Sequence, residues 1–176
     1  LISLGRSVKI LRDGGVVAIP TDTVYGLAAS MSNAIAVQKI FKIKGRPSSN
    51  PLVIQIADVS QAYEFIEIIP PGFEELIKKF WPGALTIVVP AKVELIPDIV
   101  RAGKMTAGFR IPNNTITCEL LSEVGPLVVP SANLSNSPPA TQPVEIEEIF
   151  GADFPILEGE NVASGISSTV LEYYDD

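Results

Sequence analysis

A cationic loop in the first third of the chain carries the strongest chemical signal of the sequence. The segment KIKGRPSSNPL places Lys42, Lys44 and Arg46 within five positions. Its glycine and prolines interrupt a helix, and we expect Gly45 and Pro47 to hold the last two cations off the preceding helix. Arginine offers a planar fork of donors to phosphate oxygens and lysine offers a point charge, so this pair suits a ligand with several negative charges.

Small polar side chains and one arginine lie at or beyond the ends of other predicted strands. Ser131 and Asn133 follow the strand PLVVP, Thr23 follows VVAIP, and Arg110 lies within the apolar strand AGFRI. Ligands of α/β folds bind where strands end and loops begin, and a part-buried arginine needs an anionic partner. If these side chains converge with the cationic loop on one cavity, they suit a polyphosphate.

Each of these residues also has a purely structural interpretation. The three cations of the loop could form a helix C-terminal cluster that interacts with the helix dipole. Ser131 and Asn133 could satisfy the backbone groups of a turn. Asp22 could be a turn former rather than a metal ligand, and the sequence predicts no metal site built by the protein itself.

The residue inventory excludes several kinds of site. The 176 residues include no histidine, which removes histidine triads, histidine general bases and histidine metal ligands. The single cysteine, Cys118, rules out a disulfide framework, favours a cytosolic setting and is expected to be a buried thiol in a helix. The glycine patterns of the P-loop and of the Rossmann turn are both absent.

Charge is distributed unevenly along the chain. The net charge is -7, yet all 13 Lys and Arg residues lie in residues 1–110, and residues 111–176 hold 11 acidic residues. Such a chain is a poor candidate for non-specific nucleic-acid binding, but its few cations can bind a small anion if they converge. We predict no transmembrane helix and see no signal-peptide pattern, so we expect a cytoplasmic protein.

The hydrophobic pattern alternates between helical and strand-like segments. Helices are predicted over LISLGRSVKIL, AIAVQKIFKI with Ser32 or Asn33 as its cap, VSQAYEFIEI with Asp58 as its cap, and residues 71–80, 116–124 and 143–150; strands are predicted over VVAIP, LVIQI, ALTIVVP, AGFRI, PLVVP, FPIL and STVLEYY. TDTVYGLAAS is predicted to be a loop. The strands are apolar without a polar face, which indicates an α/β fold with a largely covered sheet. Two consecutive helices after LVIQI suggest that the sheet is mixed.

Six blocks, in order, resemble one known family. AIPTDTVYGLAAS, IFKIKGRPSSNPLVIQI, FWPGALTIVVP, GFRIPN, VVPSANLSNSPPAT and SSTV are similar to the YrdC-like threonylcarbamoyl-adenylate synthases over nearly the whole chain. The resemblance implies one domain over residues 1–176, with a twisted mixed sheet flanked by helices around a large concave cavity. It implies an enzyme that makes threonylcarbamoyl-adenylate and pyrophosphate from L-threonine, bicarbonate and ATP, with Mg²⁺ accompanying ATP. A partner transferase complex would then modify tRNA.

The resemblance also assigns residues by position. It implies a tetrad of Lys44, Arg46, Ser131 and Asn133 in catalysis; an ATP side of Lys44, Arg46, Asn50, Thr106, Ser131, Asn133 and Thr141; and a threonine side of Thr23, Gln55, Arg110 and Ser168. Arg110 would take the threonine carboxylate, and Tyr25 would line the pocket. Two positions depart from the family pattern: Gln55 stands where a histidine is frequent, and Ser167 stands where a glutamate is common.

The sequence leaves two alternatives to the synthase. One is a nucleotide- or RNA-binding relative without synthase activity. The acidic second half of the chain argues against an RNA-binding surface. The other is a carbamoyl-adenylate module of hydrogenase maturation, which normally lies inside a much longer protein.

Overall fold

The computed structural model describes residues 1–159 and 165–173, which form seven helices and seven strands. In chain order these are α1 Leu4–Arg12, β1 Val17–Ile19, β2 Gly26–Ser30, α2 Ala34–Lys44, β3 Val53–Gln55, α3 Val59–Phe65, α4 Phe73–Phe80, β4 Leu85–Pro90, α5 Asp98–Arg101, β5 Thr106–Arg110, α6 Thr115–Val124, β6 Leu127–Val128, α7 Pro143–Phe150 and β7 Thr169–Glu172. The predicted strand STVLEYY extends to residue 174, which lies outside the described residues.

The strands form one mixed sheet. Its order is β1-β2-β6-β3-β5-β4-β7. The pairs β3–β5 and β4–β7 are parallel, and the other pairs are antiparallel. The predicted α/β class and mixed sheet are therefore confirmed.

Apolar residues on both faces of the sheet explain why its strands lack a polar face. Val17 and Ile19 of β1 pack in a cluster with residues of α1 and α6. Ala18, between them, belongs to the second cluster, which includes Val37 and Ile40 of α2. Successive side chains of a strand point to opposite faces, so these helices cover the two faces of the same strand.

Most predicted elements and both predicted caps are confirmed. The Asn33 side chain accepts the backbone N–H groups of Ile35 and Ala36 at 3.1 Å, and Asp58 caps α3 in the same way. Trp81 lies in the core, as expected. None of the helices in the described part of the chain has the length and apolar character that a membrane span needs.

The predicted loop TDTVYGLAAS is wrong in its second half, where β2 begins at Gly26. Small residues gave this strand no β-branched signature. Gly26 is small because a neighbouring strand passes close by: a Cβ at this position would lie 2.3 Å from Val129 Cγ1.

Two other predictions need correction, and one short helix, α5, is absent from the sequence prediction. The α4 helix begins at Phe73 rather than at residue 71, because Gly72 adopts a left-handed conformation at φ 77° and leaves Pro71 outside the helix. The four-residue α5 is too short to give a periodic pattern. FPIL makes isolated bridges, from Ile156 to Ala18 and from its last residue to residue 2, and is not a continuous strand.

The end of α2 also differs from the prediction. Lys44 is the last residue of the helix, and Gly45 and Pro47 do not hold it off the helix. Gly45 caps the helix in a left-handed conformation at φ 59°, and the N–H of Arg46 donates to the Phe41 carbonyl at 3.0 Å. The chain therefore turns sharply after Lys44, and only Arg46 lies beyond the helix.

Candidate active site

The Lys44 ammonium makes all of its hydrogen bonds to the loop after β6, residues 131–137. Its Nζ donates to the Ser131 carbonyl oxygen at 2.5 Å, to the Asn133 carbonyl oxygen at 2.7 Å and to Asn133 Oδ1 at 3.2 Å. These bonds use all three N–H groups of the ammonium, and the residue is only 2% exposed. Lys44 therefore holds the 131–137 loop against the end of α2.

The Asn133 amide is occupied within the same loop. Its Oδ1 also accepts the Ser131 hydroxyl at 2.6 Å, and its Nδ2 donates to the carbonyl oxygens of Leu134 at 2.8 Å and Ser137 at 2.7 Å. The amide thus makes four hydrogen bonds, which is its full capacity. The structural interpretation of Asn133, as a residue that satisfies turn backbone groups, is confirmed.

Arg46 has unused donor capacity. Its Nη2 donates to the Pro51 carbonyl oxygen at 3.0 Å, and its buried Nε has no hydrogen-bond partner. Burial lowers its pKa. Burial and then the neighbouring Arg46 charge lower the pKa of Lys44 to about 8. Within the described residues neither cation forms a salt bridge, so a bound anion would relieve the repulsion between them.

Two adjoining cavities lie beside this cluster, each of about 200 Å³. The loop cavity is lined by Lys44, Arg46, Pro47, Asn50, Ser131, Asn133, Ser135 and Asn136. The inner cavity is lined by residues 21 and 23–26, residues 51–53, and Arg46, Gln55, Arg110, Val129, Pro130, Ser131, Ser167, Ser168 and Val170. Arg46 and Ser131 line both, so the two cavities meet at these side chains.

Arg110 dominates the inner cavity from the end of β5. Its Nε donates to the Gly83 carbonyl oxygen at 3.0 Å, its Nη1 to Thr23 Oγ1 at 3.0 Å and its Nη2 to Asp22 Oδ1 at 2.5 Å. Burial lowers its pKa, and the charge and hydrogen bond of Asp22 oppose that shift. Three of its five N–H groups are used, so two remain for a ligand.

The Asp22–Arg110 ion pair was not predicted from the sequence. The sequence favours a turn former over a metal ligand for Asp22, whereas in the structure its carboxylate fixes the guanidinium in place. Thr21 supports the same arrangement, because its hydroxyl bonds to Thr23 Oγ1 at 2.9 Å and donates to the Val24 carbonyl oxygen at 2.7 Å. The sequence signal was the density of polar residues directly after β1.

Three further predicted residues line the inner cavity. Gln55 is 2% exposed, and its buried Oε1 has no hydrogen-bond partner. The Ser168 hydroxyl bonds to Thr86 Oγ1 at 3.0 Å. Tyr25 is buried, which raises its pKa. The structure therefore brings Thr23, Gln55, Arg110 and Ser168 together, as the resemblance implied.

The structure places the remaining predicted residues less centrally. Asn50 is exposed and lines the loop cavity. Thr106 begins β5, four residues from Arg110 and about 13 Å away, and it lines neither cavity. Thr141 lines neither cavity; its N–H and hydroxyl donate to Glu145 Oε2 at 2.6 and 3.2 Å at the start of α7.

Titratable groups outside the cavities offer little further chemistry. Cys118 lies in α6 as expected but is half-buried rather than buried. Its thiol donates to the Pro112 carbonyl oxygen at 3.1 Å, and desolvation raises its pKa, which does not favour a nucleophilic thiolate. In the part of the chain that the structure describes, no three acidic or cysteine side chains gather into a metal-binding cluster.

Comparison with known proteins places these residues in a family. A family model described as Sua5_yciO_yrdC, telomere recombination, matches residues 9–176. A threonylcarbamoyl-AMP synthase of Bacillus subtilis is 41% identical over 175 residues, which are 98% of this chain and 51% of that protein. One of Pyrococcus abyssi is 41% identical over 165 residues, 92% of this chain and 48% of that protein. The chain thus spans about half the length of these curated relatives.

A solved structure agrees closely with the fold. The crystal structure of P. abyssi Sua5 complexed with L-threonine has a TM-score of 0.92 and 37% sequence identity. The match covers 97% of this chain and 50% of that one. The arrangement of strands and helices described above is therefore shared with that protein.

Proposed function

The chain belongs to the Sua5/YciO/YrdC family, and on that premise we propose that it is an L-threonylcarbamoyladenylate synthase. The reaction joins L-threonine, bicarbonate and ATP into threonylcarbamoyl-AMP and releases pyrophosphate. The observation that carries this proposal is the meeting of two cavities at Arg46 and Ser131. One cavity holds cations without counterions, and the other is built around Arg110.

The loop cavity suits the phosphates of ATP. Lys44 and Arg46 give it two positive charges that no described carboxylate neutralises. A cavity of about 200 Å³ is smaller than the roughly 300–1,000 Å³ of sites for drug-sized ligands, so it would hold the phosphates rather than the whole nucleotide. Asn50, Thr106 and Thr141 remain predictions for contacts to the rest of ATP.

The inner cavity suits threonine. Arg110 retains two N–H groups for the amino-acid carboxylate, and Asp22 and Thr23 fix the direction of its guanidinium. Gln55 Oε1 lacks a donor and would accept an N–H or O–H of threonine. Ser168 would complete this side of the pocket. A small cavity lined by several polar side chains matches a small, polar metabolite.

The proposed chemistry needs no protein nucleophile. Threonine's amine attacks the carbon of bicarbonate: an N–C bond forms, a C–O bond breaks and water leaves, which gives an N-carboxylate. An oxygen of this N-carboxylate attacks the α-phosphorus of ATP. A new P–O bond forms, and the bond between the α-phosphorus and the bridging oxygen of pyrophosphate breaks. Because Arg46 and Ser131 line both cavities, they lie where the two substrates would meet. Catalysis would rest on positioning and on neutralising phosphate charge.

Mg²⁺ is proposed to arrive with ATP. No carboxylate lines the inner cavity among the described residues. Asp22, which contacts the cavity residue Arg110, is paired with it, and no acidic cluster is present among the described residues. These side chains do not fit a protein-built Mg²⁺ site, whereas phosphate oxygens are ligands that Mg²⁺ prefers. We further propose that the product goes to a threonylcarbamoyl transferase complex for tRNA modification in the cytoplasm.

Product formation tests the proposal directly. The purified chain is incubated with ATP, Mg²⁺, threonine and ¹³C-bicarbonate, and threonylcarbamoyl-AMP is detected by mass spectrometry. We expect a product that carries the ¹³C label and requires threonine. Folded protein that binds ATP but yields no labelled product with any of several divalent cations would contradict the proposal. The chain would then be a nucleotide-binding relative without synthase activity.

A further inference from the structure

Ser135 carries a buried hydroxyl without a partner. Its Oγ is one of three buried side-chain polar atoms in the described residues that make no hydrogen bond; the others are Arg46 Nε and Gln55 Oε1. Ser135 and Arg46 line the same loop cavity. A buried polar group normally has a partner, since leaving one unpaired is costly. Two unpaired groups beside one cavity therefore point to a ligand that bonds both.

The backbone of Ser135 is fixed to the end of α2. Its N–H donates to the Lys44 carbonyl oxygen at 2.9 Å. The Lys44 ammonium holds the start of the same loop through Ser131 and Asn133. Lys44 thus binds the 131–137 loop at two places, and the position of Ser135 does not depend on a ligand. Such a pre-positioned donor costs little ordering entropy when a ligand binds.

Two of the groups that line this cavity have no N–H left for a ligand. The ammonium of Lys44 and the amide of Asn133 make all of their hydrogen bonds with groups of the 131–137 loop or with each other. Their positive charge and dipole still favour an anion, but their N–H groups are engaged. Arg46 Nε–H and the Ser135 hydroxyl are unengaged, and both can donate to a phosphate oxygen.

We propose that Ser135 is a further ligand-binding residue, whose hydroxyl and Arg46 Nε–H donate to the same anionic phosphate group. Lys44 and Asn133 are then positioning residues that hold the loop. The identification of this phosphate as part of ATP rests on the proposed function, whereas the phosphate contact itself does not.

The test is calorimetric titration of wild-type protein, Ser135→Ala, Ser135→Thr and Ser137→Ala, with pyrophosphate in one arm and ATP in the other. Ser137 is exposed and lines neither cavity, so it is the matched control. Because a hydrogen bond to a charged group is lost, Ser135→Ala should bind both ligands at least about tenfold more weakly than the wild type. Ser135→Thr, which keeps the hydroxyl, and Ser137→Ala should bind like the wild type.

The melting temperature separates a ligand role from a structural one. Because the hydroxyl has no partner to lose, Ser135→Ala should melt at the wild-type temperature. The inference is overturned if Ser135→Ala binds both anions normally, if it lowers the melting temperature, or if the wild type binds neither anion. Pyrophosphate binding that depends on Ser135 in a chain without synthase activity would uphold the inference and reject the proposed function. An active synthase whose anion binding is unchanged in Ser135→Ala would uphold the proposed function and reject the inference.

Discussion

Lys44 and Arg46, the neighbouring cations of the cationic loop, use their N–H groups differently. Lys44 points its ammonium into the 131–137 loop and spends all three N–H groups there. The Arg46 side chain makes one hydrogen bond, to the Pro51 carbonyl oxygen, and keeps an unpaired Nε. Removing each side chain should therefore have different consequences, because Lys44 supports the loop, whereas Arg46 is proposed to contact the ligand.

Substitution of Arg46 tests this division. Arg46→Ala should weaken ATP binding by about a hundredfold, because a charge-assisted contact to phosphate is lost. Its melting temperature should stay close to that of the wild type, since only one hydrogen bond to a carbonyl disappears. Calorimetry and thermal denaturation measure the two effects. The exposed Lys42→Ala variant is the control for loss of charge, and unfolding of Arg46→Ala would mean that its role is structural.

The pH dependence of ATP binding tests Lys44. Its folded pKa is about 8, below the usual value for lysine, because of burial and the Arg46 charge. A bound anion favours the charged amine and raises this pKa, so binding takes up a proton above pH 8. ATP affinity should be flat below pH 8 and fall as the pH rises through 8. The phosphates of ATP do not cause this decline, as their last protons leave near a pKa of about 6.

Titrations between pH 6.5 and 9.5 make that measurement. Lys44→Met should bind ATP more weakly throughout and lose the inflection near pH 8, while Lys42→Ala should keep it. A wild-type affinity that is independent of pH across this range would contradict a titrating lysine at the site.

At the scale of elements, close approach of two strands positions the site. Gly26 of β2 leaves no room for a Cβ against Val129, which follows β6. Tyr25 precedes this glycine and Ser131 is bridged to it, and both line the inner cavity. The width of the cavity therefore depends on the packing of these two strands.

Gly26→Ala should lower the free energy of unfolding by about 1–3 kcal/mol through overpacking. Adding Val129→Ala should recover part of the loss, because the new methyl group would meet a smaller neighbour. Gly5→Ala is the control, since its Cβ meets nothing within 4 Å and alanine stabilises a helix by about 0.5–1 kcal/mol over glycine. Denaturant unfolding measures these three variants against the wild type. A fully tolerated Gly26→Ala would refute the packing argument.

Local signals account for what the sequence could predict at this scale. Asn33 and Asp58 marked helix starts because their side chains cap backbone N–H groups. The strand that begins at Gly26 has no local sequence signal, because a glycine is required there by a neighbour about a hundred residues away in the chain. The same holds for the site: the tetrad was found by resemblance, but the engagement of Lys44 with residue 133 and the pairing of Asp22 with Arg110 are long-range contacts.

At the scale of the whole molecule, an acidic chain concentrates uncompensated positive charge at one place. The net charge is -7, yet Lys44 and Arg46 have no salt bridge within the described residues. The cavity that they line adjoins the cavity around Arg110. A triphosphate and an amino acid could thus be held side by side by a protein that would otherwise repel anions.

The most direct test of this arrangement is the rate of pyrophosphate release from ATP, measured with and without threonine and with and without bicarbonate. It is compared in the wild type, Arg46→Ala, Arg110→Lys and Lys42→Ala. The account predicts release that requires both threonine and bicarbonate, falls by about a hundredfold or more in Arg46→Ala and Arg110→Lys, and persists in Lys42→Ala. Release that proceeds equally without threonine, or that survives the loss of Arg46, would contradict it.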